Sequence, residues 1–121
     1  MASSPSTSDA SAEALSQHAI DLLVAGEPAH SADLFRQAIA ADPEYLEAHH
    51  GLIRALAEAN QFEQAVNAAQ ELVRLCSEDP LAYTSLSIAL QRAGQVPEAE
   101  AAAGRARILE WKQQLASDPE A

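Results

Sequence analysis

The sequence predicts an all-α fold: three helical hairpins stacked in series, the last helix extended. Three observations point to it. Gly26, Asn60 and Gly94 recur at one interval of 34 residues, and all three types tolerate the left-handed conformation that ends a helix. Apolar residues between these marks fall at helical spacing. Finally, aromatics make up 4% of a chain that is 48% hydrophobic, so the core must be built from Ala, Leu, Ile and Val, of which Ala and Leu are strong helix formers.

Other positions keep the same period. Five residues after each mark stands a small residue, Ser31, Ala65 or Ala99. Sixteen residues before each of these stand Leu15, His49 and Tyr83; His18, Leu52 and Leu86 follow, then Leu22, Leu56 and Leu90. Several positions sharing one period outrank any single motif.

The first helix is expected over 10–25, on the stripe Leu15, Ala19, Leu22 and Leu23, and closes at Gly26. Pro28 then opens a second over 28–41, because the first-turn N–H has no helical partner to lose. Asp42-Pro43 reads as an N-cap and first turn, opening a third over 43–59 on Leu52, Ile53, Leu56 and Ala57. A fourth follows Asn60, over 62–76. Asp79-Pro80 opens a fifth over 80–93, with Leu86, Ala89, Leu90 and Ala93 on one stripe. Pro97 starts a sixth, over 97–116. Met1 to Ser8 is Ser/Pro-rich with nothing to bury and is expected to be a disordered tail, as is 117–121. Between them a single domain spans 9–116, with repeats at about 12–45, 46–79 and 80–113.

Charge and cysteine content narrow the function. The formal net charge is -11, so nucleic acid and anionic membrane surfaces are not expected as partners. Cys76 is the only cysteine and follows an apolar helical stretch, so it is expected to pack rather than react, and no internal disulfide can form. Met1 to Ala14 has neither a basic residue nor an apolar run, which is unlike a signal peptide, and the longest apolar stretch, Ala19 to Ala25, is broken by Asp21. A cytoplasmic address is the expectation.

The repeat resembles the tetratricopeptide-repeat family, whose pattern is W-x2-L-G-x2-Y, then A-x3-F, then P, over 34 residues. The first unit reads Leu15-x2-His18-Ala19-x2-Leu22, Ser31-x3-Phe35 and Pro43; the second His49-x2-Leu52-Ile53-x2-Leu56 and Ala65-x3-Ala69, with Ser77 in the proline position. The third reads Tyr83-x2-Leu86-Ser87-x2-Leu90 and Ala99-x3-Ala103, with Trp111 in place of the proline, so the last helix should run on. The resemblance implies a right-handed α-solenoid of three hairpins. Small residues such as Ser31, Ala65 and Ala99 let paired helices approach, while Phe35, Leu52 and Leu86 fill the space between hairpins. It also implies a concave groove, lined by the first helix of each unit, that holds segments of other proteins.

That makes an adaptor the expected function, with a structural homo-oligomer or a chaperone-like holder of a secreted or unfolded partner as alternatives. By the family register, groove side chains include Glu13, Ser16, Gln17 and Ile20 from the first unit and Glu47, His50, Arg54 and Glu58 from the second. The third adds Leu81, Thr84, Ser85, Ile88, Gln91 and Arg92. The partner-binding patch is expected at His50, Arg54, Thr84, Ser85, Ile88, Gln91 and Arg92, free of carboxylates, where the two arginines could orient an acidic segment. Alternatively both pair internally, Arg54 with Glu58 or Glu47 and Arg92 with an acidic neighbour. One branch of the family grips a terminal carboxylate with Lys, Asn, Asn, Lys and Arg. Those positions here hold Ser16, Ile20, Gly51, Leu81 and Ser85, so that mode is not expected.

No enzyme, cofactor or metal is expected. His49 and His50 adjoin Glu47, yet neighbours on a helix point about 100° apart, and His18 and His30 fall in other phases. No Gly-rich phosphate loop, no G-x-S-x-G and no Cys/His pair of recognised form is present. Trp111 shares a stripe with Ile108 and Leu115. It is expected to cap the end of the stack, the alternative being a docking face for weak self-association of a chain otherwise monomeric.

Overall fold

A computed structural model describes residues 7–117, with side chains from residue 11 onward. These residues form six α-helices and no strand: α1 (Thr7–Val24), α2 (Pro28–Ala41), α3 (Leu46–Glu58), α4 (Phe62–Leu75), α5 (Pro80–Arg92) and α6 (Val96–Ser117). Most of the two expected tails lies outside the described residues; positions 7, 8 and 117 belong to α1 and α6.

The three marks end helices as expected. Gly26, Asn60 and Gly94 have φ of 85°, 62° and 82°. Each closes the same pair of hydrogen bonds. Gly26 N donates to Leu23 O at 3.1 Å and Glu27 N to Leu22 O at 2.9 Å; Asn60 and Gln61 repeat this on Ala57 and Leu56, Gly94 and Gln95 on Gln91 and Leu90. This satisfies carbonyls that the end of a helix orphans and turns the chain sharply enough for the next helix to pack back.

Between hairpins the two linkers also match. Asp42, Tyr45 and Ala48 N donate to Ala38, Asp42 and Tyr45 O; Cys76, Asp79 and Ala82 N donate to Leu72, Cys76 and Asp79 O. Here one expectation is corrected: α3 opens at Leu46, not at Pro43. Asp42 ends α2, and its Oδ1 accepts from Glu44 N at 3.1 Å in a turn. The repeat supplies the reason, since Asp42 is the counterpart of Cys76, three residues ahead of the true N-cap. Asp79 does cap, its Oδ1 accepting from Leu81 N at 3.0 Å, with Pro80 in the first turn.

Each helix packs on its sequence neighbours, and α3 also touches α1 and α5, so the fold is an α-solenoid whose first helices form one wall. Small residues sit where helices cross: Ser31 and Ala65 are wholly buried, and Ser31 Oγ donates to Ala19 O at 2.6 Å. Between hairpins the Phe35 ring is fully buried, Leu52 is buried, and Leu86 packs partly buried against the core. Cys76 does the same.

Trp111 does not cap the stack. Ala99, Ala102, Ala106 and Leu109 of α6 are buried, while Trp111 is 62% exposed with Ile108 and Leu115 exposed beside it. At 100° per residue, Trp111 lies 200° round the helix from Leu109, on the solvent side.

Candidate functional site

The wall of α1, α3 and α5 carries two hollows. The first, about 340 Å³, lies between α1 and α3. Its floor is the Phe35 ring, which reaches the groove because Gly51 has no side chain: a Cβ there would fall 2.8 Å from Phe35 Cδ1 and closer to Cε1 and Cζ. Ile20, Leu23 and Val24 form its apolar side. Ser16 lines it too, and its buried Oγ has no hydrogen-bond partner among the described residues. The second hollow, about 310 Å³, lies between α3 and α5 over Ile53, Ala57, Ile88 and Ala89. His50, Arg54 and Glu58 border both, so the two form one groove.

Its cations are already engaged. Arg54 Nε lies 3.0 Å from Glu58 Oε2, the internal pairing given above as the alternative. Arg92 pairs with no acid among the described residues. Its Nη2 donates to Ala57 O at 3.3 Å near the end of α3, and its guanidinium stands 5.5 Å from the centroid of the Phe62 ring. The patch was expected to be free of carboxylates, but Glu58 lies in it. Glu58 is one turn beyond Arg54, so the helical step that aims the arginine at the groove aims the carboxylate there too.

His50 Nδ1 and Ser85 Oγ are 3.0 Å apart, joining α3 to α5. Burial pushes the His50 imidazole below its usual pKa, and neighbouring His49 adds to this while Asp79 opposes it. Among the described residues no carboxylate is hydrogen-bonded to His50, so the pair lacks the orienting third group of a nucleophilic triad. Glu47 at the rim accepts from Tyr45 OH at 3.0 Å; burial first, then this carboxylate, raises the Tyr45 pKa.

Of the seven patch residues, His50, Arg54, Ser85, Ile88 and Arg92 line the second hollow. Thr84 is not on its lining and spends its hydroxyl on Pro80 O at 3.1 Å. Gln91 lies elsewhere, with Ser87 and Val96 in a shallow depression toward α6. It shares the phase of Ser87, one turn back, whose Oγ donates to Ala99 O at 2.8 Å and so marks the α6 side of α5. The sequence reading missed Leu23, Val24 and Phe35 in the groove. A glycine in mid-helix at position 51 was the available signal, since it marks a close approach. His49 is buried as expected, and its Nε2 donates to Pro43 O at 2.7 Å, holding the preceding linker. Among the described residues no group of three His, Cys, Asp or Glu could hold a metal ion, and no helix is long and apolar enough to cross a membrane.

A family model described as tetratricopeptide repeat matches residues 22–83. Among solved structures the chain is similar to MamA, with a TM-score of 0.77 at 23% identity over 86% of this chain and 61% of that one. It is similar to a chain of the CopN–Scc3 complex, with a TM-score of 0.72 at 21% identity over 81% and 58%. A third likeness is to the Yersinia enterocolitica type III secretion translocator chaperone SycD in an alternative dimer: TM-score 0.76, 20% identity, 95% of this chain and 83% of that one. At these identities the likeness is one of fold, and the chain spans about three fifths of the first two structures' length. No curated protein matches.

Proposed function

Because the chain belongs to the tetratricopeptide-repeat family, we propose that it is a protein-interaction module whose concave wall of α1, α3 and α5 holds a segment of another protein. The observation that carries this is the continuous groove, in which two apolar-floored hollows share the borders His50, Arg54 and Glu58. Ile20 and Ile88 stand in it 42% and 53% exposed, one in each hollow. Apolar surface left open in a concave site is where a partner's side chains gain most from burial.

The partner segment carries two apolar anchors. Packed helices lie roughly 8–10 Å apart, so anchors for adjacent hollows are about three residues apart on a polyproline II segment, whose side chains return to one face every third residue. Arg54 and Arg92 act here as groove walls rather than as free anchors for an acidic segment, because each already has a partner. A chaperone-like version of this function is favoured by the similarity to SycD, which covers most of both chains; the held segment would then belong to a protein kept from misassembling.

A photocrosslinking residue at position 20 or 88 tests the groove, with positions 37 and 70 on α2 and α4 as controls. Both groove positions should capture the same partner from the cell of origin, and the control positions should not. Asp at the other groove position (Ile88→Asp with the crosslinker at 20, Ile20→Asp with it at 88) should abolish capture while leaving helicity intact. Capture from positions 37 or 70 alone would place the binding face on the other side of the stack.

A further inference from the structure

The exposed side of α6 carries an ordered pattern. Pro97, Ala101, Gly104, Ile108, Trp111 and Leu115 follow at alternating steps of four and three, the repeat of a coiled-coil seam. They lie opposite Ala99, Ala102, Ala106 and Leu109, which face the domain, so this seam has no partner among the described residues. Its first half is small and its second half large.

We infer that this seam pairs two copies of the chain, their α6 helices antiparallel about a two-fold axis beside Ala106. The seam is symmetric about that position, so every large residue of one copy meets a small one of the other. Trp111 faces Ala101, Ile108 faces Gly104, and Leu115 faces Pro97. Such self-complementarity is what an isologous contact demands, and a parallel pairing sets Trp111 against Trp111 instead.

Charge agrees with this choice of occupant. The chain is strongly acidic, yet α6 balances Glu98, Glu100 and Glu110 with Arg105, Arg107 and Lys112, so two copies meet there without the repulsion that opposes contact elsewhere. In this register Glu98 runs beside Lys112 of the second copy. The two Arg107 side chains approach each other near the axis and oppose the pairing; Arg105 is drawn aside over the Tyr83 ring, 5.9 Å from its centroid. The seam from 97 to 115 is about 27 Å long at 1.5 Å per residue, and a single helix pair of that length falls short of a standard interface. The dimer is therefore weak and reversible.

Sedimentation equilibrium of the full chain from micromolar to millimolar concentration tests this. A monomer–dimer equilibrium is expected, and the emission of Trp111, the only tryptophan, should shift to the blue with the same midpoint. Added salt should change the dimer little, because it screens the Glu98–Lys112 attractions and the Arg107 repulsion alike. Trp111→Ala should weaken it at least about tenfold. Gly104→Leu is the sharper variant: a Cβ there meets nothing nearer than Arg107 Nη2 at 3.9 Å, so the fold survives, as the melting temperature will verify. It adds apolar surface yet fills the slot, so it should weaken the dimer by a similar factor. In a Cys76→Ser background, a short bis-maleimide should link Glu98→Cys chains to Lys112→Cys chains and not Glu98→Cys chains to each other. A monomer at every concentration, an equal or tighter dimer with Gly104→Leu, links between two 98 positions, or loss of the dimer with Ile88→Asp each overturns the inference.

Discussion

The ring of Phe35 on α2 occupies the space where a side chain on Gly51 of α3 would begin. One contact thus sets how closely the first hairpin stacks on the second and also forms the floor of the groove. Gly51→Ala should destabilise the chain by about 1–3 kcal/mol in urea unfolding, because overpacking outweighs the roughly 1 kcal/mol that alanine adds to a helix. Phe35→Ala should cost on the order of 3 kcal/mol. In the Phe35→Ala background the sign of Gly51→Ala should reverse, and a double-mutant cycle reads that coupling directly.

Asn60 takes the backbone conformation that its counterparts Gly26 and Gly94 take without a side chain. Asn60→Gly should leave the melting temperature unchanged or raise it slightly. Asn60→Val, with a branched side chain in a left-handed conformation, should cost about 1–2 kcal/mol. Equal tolerance of Val and Gly would mean that the hinge between α3 and α4 is not held at positive φ.

Arg54 and Arg92 face one groove but differ in what they hold. Arg54→Ala should change stability by less than about 0.5 kcal/mol, since an exposed i, i+4 pair contributes little. Arg92→Ala should cost about 1 kcal/mol, having lost both the Ala57 carbonyl and the Phe62 ring. Equal thermal shifts in the two variants would contradict the difference in their partners.

His50 gives stability a dependence on pH. Its folded pKa lies below the unfolded one, so between the two the unfolded chain binds more protons. The contribution is fully present above the unfolded pKa of about 6.5 and is lost as pH falls from there through the lower folded pKa. The melting temperature should therefore decline below neutral pH, and His50→Gln should flatten that decline, measured against the same buffers. A steeper decline in the variant would assign the effect to other groups.

The amino-acid sequence by itself determined the period, the helices, the left-handed ends at Gly26, Asn60 and Gly94, and which helices make the concave wall. These are local or repeated properties: a helix end needs a residue that accepts positive φ, and a 34-residue period copies each local solution along the stack. The tertiary structure decided what the side chains do once helices meet. It engaged Arg54 and Arg92, turned Gln91 toward α6, placed Trp111 on the outside and moved the start of α3 to Leu46. A shift of one residue rotates a helical side chain by 100°, so a register good to a few residues names a wall but not its contents. The helix crossings show the same division. Ser31 on α2 donates to Ala19 on α1, whereas at the matching place in the third hairpin Ser87 on α5 donates to Ala99 on α6, the donor now on the other helix. The period requires only that the crossing be small; which helix supplies the hydroxyl is decided where the two backbones come within reach.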